Sequence, residues 1–198
     1  MASTVAITEQ LGSQAAAKAF TLTSAVWFAF ATSFGMIAAG YLIAPDFMAN
    51  IEFIQFGRVR PIHVNLVLFG FVTPGLLAAA LYYTPRLLRT QLYSQRLGVI
   101  TAMLWNLTLI IGVISLGMGY SQGREYAELP WAVDMMIAGL FGLVIYNLFM
   151  TVRRRQESIL YVSIWYTCAA VILTACLLYT SPSPRDHLSY LVCRLLLE

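Results

Sequence analysis

Five blocks of about twenty apolar residues each dominate this chain, near 23–44, 62–83, 97–118, 131–150 and 160–179. Nothing in a bilayer core can hydrogen-bond an open peptide group, so a segment of that length in hydrocarbon must close its bonds within itself, as an α-helix. Composition points the same way. Of 198 residues, 60% are hydrophobic and 11% charged, against roughly 25% charged in a soluble domain. The expected fold is therefore all-α, a polytopic transmembrane bundle of about five spans. The formal net charge of +3 is no sign of nucleic-acid binding, because the arginines fall in short loops between apolar blocks.

Arginine placement orients the bundle. The second connection carries Arg86, Arg89 and Arg96, and the fourth carries Arg153, Arg154 and Arg155. With alternating spans both lie on one side, which the positive-inside tendency makes the cytoplasm. Lys18 and the N-terminus share that side. The loops at 45–61 and 119–130 then face outward, with a mixed-sign set that includes Glu52, Arg58, Arg60, Arg124, Glu125 and Glu128. Residues 1–22 show no secretory signal pattern and are expected to form a tail before the first span. Cys168, Cys176 and Cys193 have neither metal-site spacing nor the look of a disulfide framework.

Two outer segments carry the chemistry. The first is Phe56-Gly57-Arg58-Val59-Arg60-Pro61-Ile62-His63-Val64-Asn65. Pro61 suits a first helical position, where its missing N–H is harmless, and this puts His63 in the first turn of span two. A neutral imidazole ligates haem iron through one nitrogen. A nearby guanidinium, Arg60 or Arg58, suits a haem propionate. Gly70 follows His63 by seven residues, so regular helix geometry puts it on the same face, where a missing side chain would admit a flat macrocycle. Each residue also fits a plainer role: the arginines as helix-end anchors, Gly70 as close helix packing, His63 as an interfacial side chain.

The second segment is Gly119-Tyr120-Ser121-Gln122-Gly123-Arg124-Glu125-Tyr126-Ala127-Glu128-Leu129-Pro130-Trp131. Glu125 and Glu128 are three apart and fit either a hard cation such as calcium or ion pairs in a self-neutralising loop. No phosphate loop, Ser/His/Asp set or paired in-span carboxylate accompanies them.

Taken together, these two segments, with Ile159-Leu160-Tyr161-Val162-Ser163-Ile164-Trp165-Tyr166 further on, resemble subunit I of the cbb3-type (C-type) cytochrome c oxidases, within the haem–copper oxidases. The resemblance runs from about Ala19 to Ala175 and covers the N-terminal part of a subunit of about twelve spans. It implies that His63 is one axial ligand of the low-spin haem b. It places Arg60 near the haem propionates, and Glu125 and Glu128 near the propionates and an associated calcium. The second low-spin ligand, the high-spin haem and the copper ligands would belong to later helices, so no catalytic residue is expected within this stretch. The implied whole is a terminal oxidase of a bacterial inner membrane. It would work with cytochrome c-type subunits to pass electrons to oxygen and move protons. The large subunit of bacterial nitric oxide reductase is a neighbouring alternative, and a haemless transporter or structural membrane protein one of another class.

The last residues break character. Cys176 to Asp186 reads as a translation of a transposase-based sequencing adapter, and Leu191 to Leu197 resembles the far end of the same adapter in another frame. Residues 176–198 are therefore expected to be artefactual.

Overall fold

In a computed structural model the chain is helical throughout its membrane-length segments. The structure describes residues 14–46, 48, 50–122 and 128–180, with the backbone alone over 175–180. Glu125 and the stretch 181–198 lie outside the described residues. The helices are α1 (Ala15–Ile43), α2 (Phe56–Leu87), α3 (Gln95–Gly117), α4 (Trp131–Arg153) and α5 (Val162–Thr180). The first four are long and apolar enough to cross a membrane. The chain is thus a multi-pass α-helical membrane protein of four such helices with a fifth of 19 residues beside them.

α1 starts at Ala15, earlier than its apolar block suggested, so the tail expected over 1–22 is cut short. The reason is packing of small residues. Ala16 is fully buried, and a Cβ added at Gly98 of α3 would lie 2.4 Å from its Cβ. The Ala16 N–H donates to Gln95 Oε1 at 3.1 Å. Small residues let membrane helices approach backbone to backbone, and here they draw α1 onto α3 a full two turns before the hydrophobic block begins. α2 also begins ahead of its predicted start, at Phe56, leaving Pro61 inside the helix. The carbonyl that Pro61 cannot serve belongs to Gly57, four residues back and exposed at the helix end, where the loss is tolerable.

α1 lies against both α2 and α3, α4 packs on α3, and α5 packs on α4. The core centres on Trp105, whose ring makes edge contacts with Phe20 of α1 (centroids 6.2 Å) and Phe141 of α4 (5.2 Å). Polar side chains fasten the helices where lipid offers no hydrophobic driving force between them. Asn106 accepts from Trp27 Nε1 at 2.8 Å and donates to Thr23 Oγ1 at 2.8 Å, tying α3 to α1. Asn147 of α4 accepts from the Ser94 N–H at 3.1 Å and donates to the Ser94 carbonyl at 2.9 Å. The Tyr83 and Thr167 hydroxyls bond to one another between α2 and α5.

The two basic connections share one end of the bundle, as the arginine pattern required. Arg89 Nε pairs with Glu157 at 2.8 Å, and the Gln156 N–H donates to the Leu88 carbonyl at 3.2 Å. Arg89 closes α2 in the left-handed region (φ 49°), with Thr90 N–H on the Pro85 carbonyl and Arg89 N–H on Arg86. This is the two-bond helix ending usually completed by glycine.

Replacing Gly98 with leucine should force α1 off α3. Overpacking of this kind costs about 1–3 kcal/mol. The melting temperature of the purified protein in detergent should fall, whereas the lipid-facing change Ile100→Leu should leave it unchanged.

Candidate haem-ligand site

His63 sits one turn deeper in α2 than the proline suggested, and α1 decides its orientation. Its Nδ1 lies 2.8 Å from the Ala31 carbonyl oxygen. A carbonyl only accepts, so Nδ1 carries the proton and the Nε2 lone pair is left open. This is the usual way a ligating imidazole is held in tautomer and rotation. Gly35, one turn beyond Ala31, makes room for the ring: a Cβ there would lie 2.7 Å from His63 Cε1 and 2.9 Å from Nδ1.

His63 lines an open groove of about 470 Å³ between α1 and α2. α1 contributes Phe28, Ala31, Thr32, Gly35, Met36 and Ala39; α2 contributes His63, Val67 and Phe71. The floor is small and the walls are apolar and aromatic, with Phe28 and Phe71 rings 4.7 Å apart. One imidazole nitrogen in a slot that is apolar apart from Thr32 would suit a flat, hydrophobic, iron-bearing macrocycle.

The other expected site residues separate. Gly70 does not line the groove. It is buried against Trp27, and a Cβ at Gly70 would lie 2.8 Å from that residue's Cβ. The seven-residue spacing failed because residues Leu66–Val72 form a π-helix, with wider turns than the regular helix assumed. Arg58 is engaged structurally. Its Nη1 donates to the Gly117 carbonyl at 2.9 Å, at the negative end of α3. There Gly119 (φ 91°) reverses the chain, with Tyr120 N–H on Ser115 and Gly119 N–H on Leu116. Arg60 is exposed at the same end of the bundle.

Glu128 reaches α2 itself. Its Oε2 accepts from Asn65 Nδ2 at 2.7 Å, and the same Nδ2 donates to the Pro61 carbonyl at 2.9 Å. Both side chains are buried. Gln122 straps the loop by donating from N–H to the Glu128 carbonyl (2.9 Å) and from Nε2 to the Leu129 carbonyl (2.6 Å). The outer loop is thus pinned two residues past His63. Among the described residues no three His, Cys, Asp or Glu side chains group as a metal site.

Sequence reasoning missed Ala31, Gly35 and the role of Asn65. The signal for the first two was present as small residues at four-residue spacing, Ala31, Gly35 and Ala39, within one span.

The profile of the family described as cytochrome C and quinol oxidase polypeptide I matches residues 15–183. The chain belongs to that family. It is 31% identical over 160 residues to the Cbb3-type cytochrome c oxidase subunit CcoN1 of Stutzerimonas stutzeri, covering 81% of this chain and 34% of that protein. It is 32% identical over 133 residues to cytochrome c oxidase subunit 1 of Rhodobacter capsulatus, covering 65% of this chain and 25% of that protein. A cytochrome c oxidase subunit 1 homolog of Agrobacterium tumefaciens is 31% identical over 144 residues, covering 72% and 26%. The chain therefore spans about a third or less of the length of these relatives.

The Asn65–Glu128 contact should couple energetically. In a double-mutant cycle of Asn65→Ala and Glu128→Ala, followed by thermal unfolding, the coupling should fall within about 0.5–3 kcal/mol. Asn65→Leu alone should be the worse of two single changes at Asn65, because it adds bulk while leaving a buried carboxylate without its donor.

Proposed function

We propose that this chain is the haem-ligand-bearing N-terminal part of subunit I of a respiratory terminal oxidase, and that His63 is one axial ligand of its low-spin haem b. The observation that carries the reading is the tautomer lock. The Ala31 carbonyl takes the Nδ1 proton, and Nε2 is left as the free nitrogen of a side chain that lines an apolar groove. When bound, the haem would supply one-electron redox chemistry. The protein's part is to hold the imidazole in one tautomer, to exclude water with Phe28, Met36, Val67 and Phe71, and to place cationic charge at the outer rim. Arg60, exposed at that rim, is the residue proposed to meet the propionates. Arg58, on the same stretch of α2, is proposed as a second cation at that rim.

Glu128 belongs in this reading as the residue that fixes the outer loop on α2, with Glu125 beside it in sequence as the partner for a calcium ion. The high-spin haem, copper, oxygen reduction, proton movement and contacts with cytochrome c-type subunits would all belong to the complete subunit and its complex. The relatives' names favour a cytochrome c oxidase over a nitric oxide reductase. The basic end is proposed to face the cytoplasm of a bacterial inner membrane, with the N-terminus on that side. Residues 176–198 are proposed to derive from adapter sequence, although the family match reaches 183. Sequencing the source DNA beyond the Ala175 codon with another library chemistry decides this, and recovery of the Ser181–Glu198 codons in genomic context would refute it.

In the complete subunit, His63→Ala should abolish the low-spin haem signal in the reduced-minus-oxidised spectrum while the protein still inserts; an unchanged spectrum would overturn the assignment. Gly35→Val should give the same spectral loss, because its side chain would occupy the imidazole's space. For orientation, a cysteine at Gln122 should be labelled by impermeant reagents only from outside the cell, and one at Gln156 only from inside.

A further inference from the structure

The π-helical run in α2 ends just before a proline and has two external latches. Within it the Thr73 N–H donates to the Leu68 carbonyl, five residues back. Pro74 has no N–H, so that pattern cannot continue to the Phe69 carbonyl. Trp105 Nε1 of α3 donates to that carbonyl instead, at 2.8 Å. The Phe71 carbonyl receives Ser24 Oγ of α1, also at 2.8 Å. Trp105 is 1% exposed, so its indole N–H would be an unsatisfied donor in the protein interior without this bond.

The run also changes which residues share a face. A regular helix turns about 100° per residue, so positions eight apart diverge by about 80° and positions seven apart by only about 20°. Here His63 and Phe71, eight apart, line one groove with Val67 between them, while Gly70 turns away to Trp27. The groove on α2 exists because of the wider turns.

We infer that Trp105 and Ser24 are positioning residues for the His63 ligand: by latching the Phe69 and Phe71 carbonyls they hold α2 in the π register that sets His63, Val67 and Phe71 together against α1. This rests on the haem reading of His63. Neither residue lines the groove itself, and Ser24 meets it only at the Phe71 backbone carbonyl. They act through the backbone, from two different helices, on the segment that follows the ligand.

The test uses the complete subunit in its assembled complex and compares the parent with Trp105→Phe/Ser24→Ala. One readout is the largest g-value of the low-spin ferric haem, taken at equal haem content. The other is independent of haem: oxidative cross-linking between Phe28→Cys and Phe71→Cys, in each background. The g-value should shift and the cross-link should be largely lost. Reduced protein yield with an unchanged g-value and unchanged cross-linking in what remains would overturn the inference, since that is what a purely structural role produces. If His63→Ala, run alongside, keeps the low-spin signal, the haem reading itself has failed. The cross-link then decides the latch alone, its loss supporting a register role and its persistence refuting it. Should the double variant not accumulate, Ser24→Ala, which removes only a hydroxyl, carries the same two readouts.

Discussion

A peptide group in hydrocarbon has no water to turn to, and the architecture of this chain follows from where its own helices fail to satisfy that demand. α1, α3 and α4 run as unbroken α-helices. α2 does not: it carries Pro61, Pro74 and Pro85, and a π-helical run over Leu66–Val72. The first proline falls near the outer end, where a lost bond matters little. The second falls well inside and withholds one donor; α3 serves the Phe69 carbonyl in its place, and α1 adds a bond to the Phe71 carbonyl. Those donors come from a tryptophan and a serine that would otherwise bury polar atoms without partners. The defect in α2 and the polar groups of α1 and α3 answer one another, which makes the three-helix contact specific in a medium where apolar burial alone cannot be.

The same three helices build the surroundings of His63. α1 gives the Ala31 carbonyl that fixes the His63 tautomer and the Gly35 gap that admits the ring; α2 gives the histidine and the groove wall. α3 sets the depth of α1 through Gly98 against Ala16 and its rotation through Asn106 on Trp27 and Thr23. Trp27 is therefore held from one side by Asn106 while its other side fills the space over Gly70. A change at Asn106 would be felt at Gly70 without any contact between the two.

The spans, their number to within the shorter α5, and the shared end of the two arginine-bearing connections were legible in the sequence, because each depends on a property that accumulates over many residues. The family was legible through the motif around His63 and its partner segment. What escaped depends on single atoms. The start of α1 turns on alanine packing that carries little hydropathic signal. The facing of Gly70 turns on a local change of helical period, which no count made at 3.6 residues per turn detects. Pro74 was the visible clue, since a proline deep in a span must either kink the helix or have its orphaned carbonyls served by neighbours.

Asn65 shows how one side chain joins the two outer segments. Its amide donates along its own helix to Pro61 and across to Glu128. The first bond holds the carboxamide on its own helix and the second anchors a loop. A leucine in its place would serve neither, and an aspartate would set two carboxylates against each other. The carboxamide is suited to the position because it donates both bonds without bringing a charge of its own. The loop that carries Glu128 also reaches the end of α3, where Arg58 closes the Gly117 carbonyl from α2's side. Two contacts, one neutral-to-anionic and one cationic-to-dipole, thus hold the outer cap in place near the turn that carries His63. The cap constrains the first turns of α2, and the π latches constrain the turns beyond. His63 lies between these two restraints, and the Ala31 carbonyl adds a third directly on the ring.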